Sequence, residues 1–394
     1  MSDISIPNFR FKKYTSNLVK TKLSKIATFN PKSSLPENFK YIDLESVLGT
    51  ELVSYREETR ESAPSRAQRV AQKGDVFYQM VRPYQKNNYL FDLNENNYVF
   101  STGYAQLRPK VDSAFLLTRL QEEGFVNKVI ERCTGTSYPA INSKDLSRIS
   151  ITIPEDLEEQ SAIGSLFRTL DDLLASYKDN LVNYKSLKAT MLSKMFPKAG
   201  QTVPEIRLDG FEGDWKKDTL EPYLTESRIS GDTGLTAKKI TVKLWGKGVI
   251  EKEEKYAGSS NTQYFIRKAG QFIYSKLDFQ NQAFGIVPNE LDGYQSTLDL
   301  PTFDIQNIDP KFLLEYVMRR EFYEYQGLIA NGSRKAKRIH PEDFLVMPVR
   351  TPSLEEQQAI GSYFSNLDNF INSYQEKISQ LETLKKKLLQ DMFI

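Results

Sequence analysis

Apolar side chains recur every seven residues in two stretches of this chain. The first carries Ile163, Leu170, Tyr177, Tyr184 and Met191, with Phe167, Leu174, Leu181 and Met195 four places further on. The second carries Ile360, Leu367, Tyr374, Leu381 and Leu388, with Phe364, Ile371, Ile378 and Met392. A seven-residue period sustained in this way is the pattern of a helical seam packed on another helix. Each stretch follows a proline (Pro154, Pro352), places its acids first (Glu158 and Glu159; Glu355 and Glu356) and its bases late (Lys188 and Lys194; Lys385 to Lys387), as the helix macrodipole favours. At about 1.5 Å of rise per residue, each predicted helix is roughly 55 to 60 Å long, too long for the core of a small domain. The two are expected to pair as an internal coiled coil, Ile163, Phe167, Leu170, Leu174, Tyr177 and Leu181 forming one side and Ile360, Phe364, Leu367, Ile371, Tyr374 and Ile378 the other.

The stretches are also copies. Leu354 to Phe393 repeats Leu157 to Phe196 at an offset of 197 residues in a chain of 394, and 18 of the 40 positions are identical. The repeat reaches beyond the helices. Pro7 to Phe11 aligns with Pro204 to Leu208, and Asp112 to Leu117, an N-capped helix start running on to about Cys133, aligns with Asp309 to Leu314. The glycine loop Thr134 to Ile141 faces Asn331 to Ile339 in the alignment.

Between these landmarks, short extended runs such as Asp75 to Tyr78, Asn97 to Phe100, Ile240 to Leu244 and Gln271 to Tyr274 predict a mainly β region in each half. Arg56 to Lys73 reads as a polar loop or exposed helix. Residues 40–110 and 237–307 share almost nothing beyond a Gly and a Tyr near Gly74/Gly270 and Tyr78/Tyr274. Two matching frames with different contents predict two different binding surfaces, hence bipartite recognition.

Composition narrows the class. No apolar run approaches the ~18 residues of a membrane span, and Met1-Ser2-Asp3 lacks a signal-peptide layout, so a cytoplasmic protein with no membrane partner is expected. One cysteine (Cys133, expected on a buried helix face) and one histidine (His340) leave no zinc cluster. The net charge is +2. Residues 1–154 hold 22 basic and 16 acidic side chains, residues 197–351 hold 22 of each, and both long helices are net negative. A DNA role therefore cannot rest on net charge.

Catalytic signatures are missing from the sequence: no phosphate-binding Gly-x-x-x-x-Gly-Lys-Ser/Thr loop, no His-Glu-x-x-His, no Gly-x-Ser-x-Gly, and no Asn/Asp-Pro-Pro-aromatic run of adenine-N6 methyltransferases. Gly246-Lys247-Gly248 lacks the rest of the phosphate loop. Glu342-Asp343 and Asp171-Asp172 are more simply caps and solvated faces, and His340 a loop or core residue. A non-catalytic chain is expected. What remains are side chains suited to phosphate contacts and base-edge readout: Arg66, Arg69 and Lys73; Arg82, Tyr84 and Lys86; Lys276, Gln280, Asn281 and Gln282; Arg334, Lys335, Lys337 and Arg338. Thr136, Ser137 and Ser333, in the two glycine loops, could add contacts to phosphates.

At this point the layout resembles a known family, the specificity subunits of type I restriction-modification systems. The resemblance covers the whole chain. Its most specific marks are Pro352 to Gly361, the near copy Pro154 to Gly164, and the helix ends Met195-Phe196 and Met392-Phe393. It implies an α+β fold in which two α/β target-recognition domains (1–153 and 198–351) are separated by two antiparallel spacer helices (154–197 and 352–394) with pseudo-twofold symmetry. It further implies that each half reads one part of a split, asymmetric site on double-stranded DNA. Two methyltransferase (modification) subunits with S-adenosylmethionine would dock on the helices, and restriction/translocase subunits would supply ATP- and Mg-dependent cleavage; no cofactor is expected in this chain. The competing expectation from a different class is a coiled-coil assembly scaffold that binds no DNA.

Overall fold

The computed structural model describes residues 7–15, 17–135, 137–253, 258–329 and 338–393. The chain divides into two compact units: Met1–Asp179 with Glu376–Ile394, and Asn180–Gln375. The long helices, Leu157–Lys194 and Leu354–Met392, each contribute one part to each unit. No helix among the described residues is long and apolar enough to cross a membrane.

In the first unit the central sheet runs Ala27–Phe29, Tyr104–Pro109, Val76–Gln79, Tyr89–Leu90, antiparallel throughout. The strand Val76–Gln79 is buried at every position. Alternation explains why: Val76 and Tyr78 pack with Phe115, Leu116 and Phe125 of the helices, whereas Phe77 packs with Phe91, Phe100 and Tyr104 towards a second sheet. That second sheet runs Arg56–Thr59, Asn38–Ile42, Tyr98–Ser101, Ala67–Val70 and contains a parallel pair. A ribbon of Leu18–Lys22 with Ser150–Pro154 leads into the first long helix.

The second unit has a central sheet of the same order: Leu224–Ser227, Thr302–Ile305, Phe272–Tyr274, Phe284–Ile286. Its ribbon pairs Lys216–Thr219 with Pro348–Thr351 and leads into the second long helix. Phe272 and Tyr274 face the helical side with Phe312, Leu313 and Phe344, and Ile273 faces the other side with Ile240, Val242 and Val249. The outer sheets differ. Here there is a three-stranded sheet, Ser230–Thr233, Gln263–Ile266, Gln295–Ser296, and a separate hairpin, Ile240–Val242 with Val249–Glu251. Arg267 ties the central and outer sheets. It is fully buried, and it donates to Ser296 Oγ (2.7 Å), Thr302 Oγ1 (2.7 Å) and the Ser227 carbonyl (3.0 Å). Burial lowers its pKa to about 10.

Several sequence expectations change here. Arg56 to Lys73 is not a loop or helix: it holds the strands Arg56–Thr59 and Ala67–Val70, whose inner face carries the small Ala67, so no apolar alternation marked them. The helix beginning at Ser113 stops at Gln121 and restarts at Glu123–Ile130. Glu122 breaks it by turning extended and accepting from the N–H of Gly124 and Phe125 (2.9 Å for the latter), an N-cap within what reads as one helix. Cys133 lies beyond that helix rather than on it, half-buried, with burial raising its thiol pKa. The expected runs Asp75 to Tyr78 and Gln271 to Tyr274 are the third strand of the central sheet in each unit; the common strand order was not legible in residues 40–110 and 237–307, because strand pairing needs buried alternation and not particular residues.

The Glu-Gln-x-x-x-Gly run at the start of each long helix has a specific structural job. Glu159, 1% exposed, takes both arms of Arg10 at 2.6 Å. Gln160 accepts from the N–H of Asp112 (3.2 Å) and donates to the Pro154 carbonyl (2.8 Å). Gly164 lies so close to the capped helix start that a Cβ would meet the backbone N of Phe115 at 2.6 Å and Asp112 Oδ1 at 2.7 Å. In the second unit Glu356 takes Arg207 (2.9 and 2.7 Å), Gln357 accepts from Asp309 N–H (3.0 Å) and donates to Pro352 (3.0 Å), and a Cβ on Gly361 would meet Asp309 Oδ1 at 2.6 Å.

Gly164→Ala should destabilise the first unit, and Gly361→Ala the second, by about 1–3 kcal/mol, since overpacking against backbone outweighs the ~1 kcal/mol of helix propensity gained. Ser165→Ala, exposed one residue along, should stay within about 0.5 kcal/mol of wild type. Denaturant unfolding of the full chain checks this; a Gly164→Ala protein as stable as wild type would mean that the contact yields freely.

Candidate nucleic-acid interface

The polar candidates fall on a turn common to both units, which leaves the third strand of the central sheet and returns as the fourth. In the first unit this is the 3₁₀ turn Pro83–Gln85, bracketed by two left-handed residues, Arg82 (φ 53°) and Lys86 (φ 56°). Buried Gln79 holds it from inside, donating to the Val81 carbonyl (2.7 Å) and Gln85 Oε1 (2.9 Å). Arg82 N–H donates to the Pro139 carbonyl (2.8 Å), and its guanidinium lies 4.4 Å from the ring centre of exposed Tyr138. Tyr84 and Ser137 are exposed nearby in the turn and loop. Lys86 is already committed, at 2.5 Å from Glu123.

In the second unit the same turn is Phe279–Asn281, closed by left-handed Gln282 (φ 56°). Asp278 braces it, accepting from Ser275 Oγ (3.2 Å) and Asn281 Nδ2 (3.3 Å). Gln280 is exposed, with its stem against Gly327. Lys276 is almost buried and burial lowers its pKa, so its ammonium is not a free surface cation. Arg338 pairs with Asp299 (3.2 Å), whose carbonyl also accepts from Lys276 N–H (3.0 Å). Thr136, Ser333, Arg334, Lys335 and Lys337 lie outside the described residues.

Arg66, Arg69 and Lys73 do not join that turn. Arg66 is exposed, and Lys73 donates to Asn94 Oδ1 (2.9 Å). Arg69 lines an open groove of about 640 Å³ with Asn30, Lys32, Ser33, Arg60 and Gln68. Its Nε is buried without a hydrogen-bond partner, and burial lowers its pKa. Asn30, Lys32, Gln68, Tyr138 and the exposed Trp245 were not singled out from sequence. Trp245 precedes the glycine-lysine-glycine run that reads only as a broken phosphate loop; the strand patterns on either side mark a hairpin tip instead.

The helix-pairing candidates divide between two roles. In the first unit Ile163, Phe167 and Leu170 pack into the globular core together with Met392, and Leu174 is buried. In the second, Ile360, Phe364 and Leu367 pack with Met195 and Phe196. Further along, the two helices touch each other with opposed direction. In the first unit Asp171 pairs with Lys385, Lys178 with Glu382 (3.0 Å), and Lys377 lies 5.7 Å from the Tyr177 ring. In the second, Tyr184 stacks on Phe370 and Tyr374 (5.3 and 5.6 Å) and Lys188 pairs with Asp368 (2.7 Å) and Glu315 (3.0 Å). Leu181, Ile371 and Ile378 are partly buried. Burial pushes the Glu315 carboxyl pKa up, against the pull of Lys188, while the two carboxylates hold Lys188 above the usual lysine value despite its own burial.

A family model described as the type I restriction modification DNA specificity domain matches residues 54–183. The HindI specificity subunit of Haemophilus influenzae is 28% identical over 168 residues, 41% of this chain and 35% of that protein. The match thus spans about a third of that relative's length. A type I restriction-modification S subunit from M. genitalium matches in fold with a TM-score of 0.62 at 13% identity, over 99% of both chains. A structure described as the basis of complex assembly and conformational transition of a type I restriction-modification system matches at 0.52 and 18% identity, over 96% of this chain and 98% of that one.

Glu315→Gln should alter the pH dependence of stability. A carboxyl whose folded pKa is raised opposes folding once pH exceeds its unfolded value, so the variant's stability relative to wild type should rise from about pH 4 upward and level off above the folded pKa. Urea unfolding across pH 3–8 measures this; a constant difference would mean that Lys188 offsets the burial.

Proposed function

We propose that the chain is a type I restriction-modification specificity subunit, the DNA-recognition subunit of a methyltransferase/endonuclease complex. Each unit reads one part of a bipartite, asymmetric site on double-stranded DNA. The carrying observation is the pair of central sheets of one strand order, each followed by the same polar turn and bearing a different outer sheet. A common frame with unlike surfaces suits two half-sites of unlike sequence. The two long helices act as an antiparallel coiled coil repeated by an internal duplication; their opposed contacts within each unit support this.

On this reading the chain performs no chemistry. Two modification subunits dock against the helices and carry S-adenosylmethionine, restriction/translocase subunits carry ATP and Mg, and the assembly works in the cytoplasm. The domain division 1–153, 154–197, 198–351 and 352–394 is part of the same proposal, as are contacts to DNA from the two turns. The alternative of a scaffold without DNA binding is removed if the assembled complex binds DNA with the salt dependence that phosphate contacts impose.

Genome-wide mapping of N6-methyladenine should lose one split, asymmetric motif when the gene is deleted, and exchange of residues 1–154 for those of a relative should alter one half-site alone. An unchanged methylome, or a change in both half-sites, would contradict the proposal. Arg69→Ala should relax a single base position in the half-site of the first unit, at a binding loss of about 1–3 kcal/mol, because an unpaired guanidinium in a polar groove suits the O6/N7 edge of guanine. Competition binding with single-base variants of the mapped site reads this out.

A further inference from the structure

Resting on the reading that the second unit binds DNA, we propose that Trp245 is an aromatic wedge that stacks on the bases of the half-site this unit reads. The chain has two tryptophans: Trp215 is 2% exposed within the core, whereas Trp245 is 57% exposed at the tip of the hairpin Ile240–Val242/Val249–Glu251. An indole left in water gives up the burial that ordinarily places this side chain.

The backbone holds it there against local preference. Trp245 has φ 61°, a left-handed conformation that a bulky side chain rarely adopts. Its N–H donates to the Asn281 carbonyl (2.8 Å), and that of Gly246 donates to the Gln282 carbonyl (3.0 Å), so the tip is clamped to the polar turn. Behind it Gly246 (φ 65°) lies against the end of the Met318 side chain, where a left-handed backbone favours glycine.

The strain is concentrated. Among the described residues six non-glycine positions have positive φ, and four of them, Arg82, Lys86, Trp245 and Gln282, lie on the two equivalent turns or are bonded to them. Unfavourable backbone gathers where a surface must be held in one shape for a ligand. The first unit builds the same arrangement from a different loop: Tyr138, 64% exposed, is held by the Arg82 guanidinium.

The surroundings select nucleic acid as the occupant. Lys243 and Lys247 flank the indole with no acid between them, and the amides of Gln280, Asn281 and Gln282 stand on the turn to which the tip is clamped. Cations for phosphates, amides for base edges and a convex aromatic tip are the components of a side chain that enters a groove and stacks.

The test uses the complex assembled from the full chain and its methyltransferase partner, with a duplex carrying the mapped site. Trp245→Ala should raise Kd about 10-fold or more, and Trp245→Phe should recover most of that loss. Trp245→Gly, which relieves the left-handed strain, should unfold about 2 °C higher than wild type and yet bind as weakly as the alanine variant. Discrimination in the half-site of the first unit should be unaffected by these changes and impaired by Tyr138→Ala. Binding by Trp245→Ala within twofold of wild type overturns the wedge. So does loss of methyltransferase assembly without DNA, which would place the indole on a protein partner. If the wild-type complex itself binds no split site, the DNA reading of the unit falls and the wedge falls with it; if it binds and the variant is unchanged, the wedge alone falls.

Discussion

The architecture depends on how each long helix is seated at its first turns. A helix of nearly forty residues cannot be fixed by burial along its length, because most of it is half-exposed. It is fixed at its start, where a buried carboxylate holds an arginine from the preceding segment, a glutamine bridges two main-chain groups, and a glycine admits the capped end of another helix. Each component is directional. Breaking one partner of the Arg10–Glu159 pair would leave a charge almost fully buried, a loss of order 3–5 kcal/mol, so the angle at which the helix leaves the globular body is closely specified. The far ends are plugged instead: Met392 and Phe393 enter the first unit, where Phe393 lies by Phe115 and Phe167, and Met195 and Phe196 enter the second beside Phe312 and Phe364.

This seating explains which residues repeat and which do not. The repeated motif contacts backbone and a capping aspartate that is the same in both copies, Asp112 and Asp309, so it tolerates little change in either. The outer sheets pack on the apolar face of the central sheet, through Phe77 in one unit and Ile273 in the other, with polar ties such as Arg267. Any segment that supplies an apolar inner face fits there, which leaves four strands with a parallel pair in one case and three strands plus a hairpin in the other. The surface can therefore diverge while the frame is retained.

The legibility of the sequence follows the same division. The long helices, their ends and the Asp112 and Asp309 caps were readable because period and capping are local signals. Of the central sheets, the third strand was readable in each half but the common strand order was not, since it is written in burial alternation over strands of two to six residues. The break at Glu122 was missed because a glutamate reads as a helix former until its carboxylate is seen capping the next turn. Of the site, the polar turn was legible as a set of residue types. Its geometry was not: left-handed Arg82, Lys86 and Gln282 carry no sequence mark of positive φ, and the ion pair that occupies Lys86 joins residues far apart in the chain.

That occupation bears on how such a surface would discriminate. Lys86 is spent on Glu123, Arg338 on Asp299 and Lys188 on Asp368 and Glu315, and Lys276 is largely withdrawn from solvent. A net charge of only +2 gives the chain little overall attraction for DNA irrespective of sequence, and non-specific affinity scales with the phosphates neutralised. On the proposed reading, affinity would rest more on contacts that depend on base identity and stacking, such as those of Arg69 in its groove and of the exposed rings Tyr138 and Trp245. On that proposal, a weakly charged reader would gain its selectivity by having little to offer the wrong sequence.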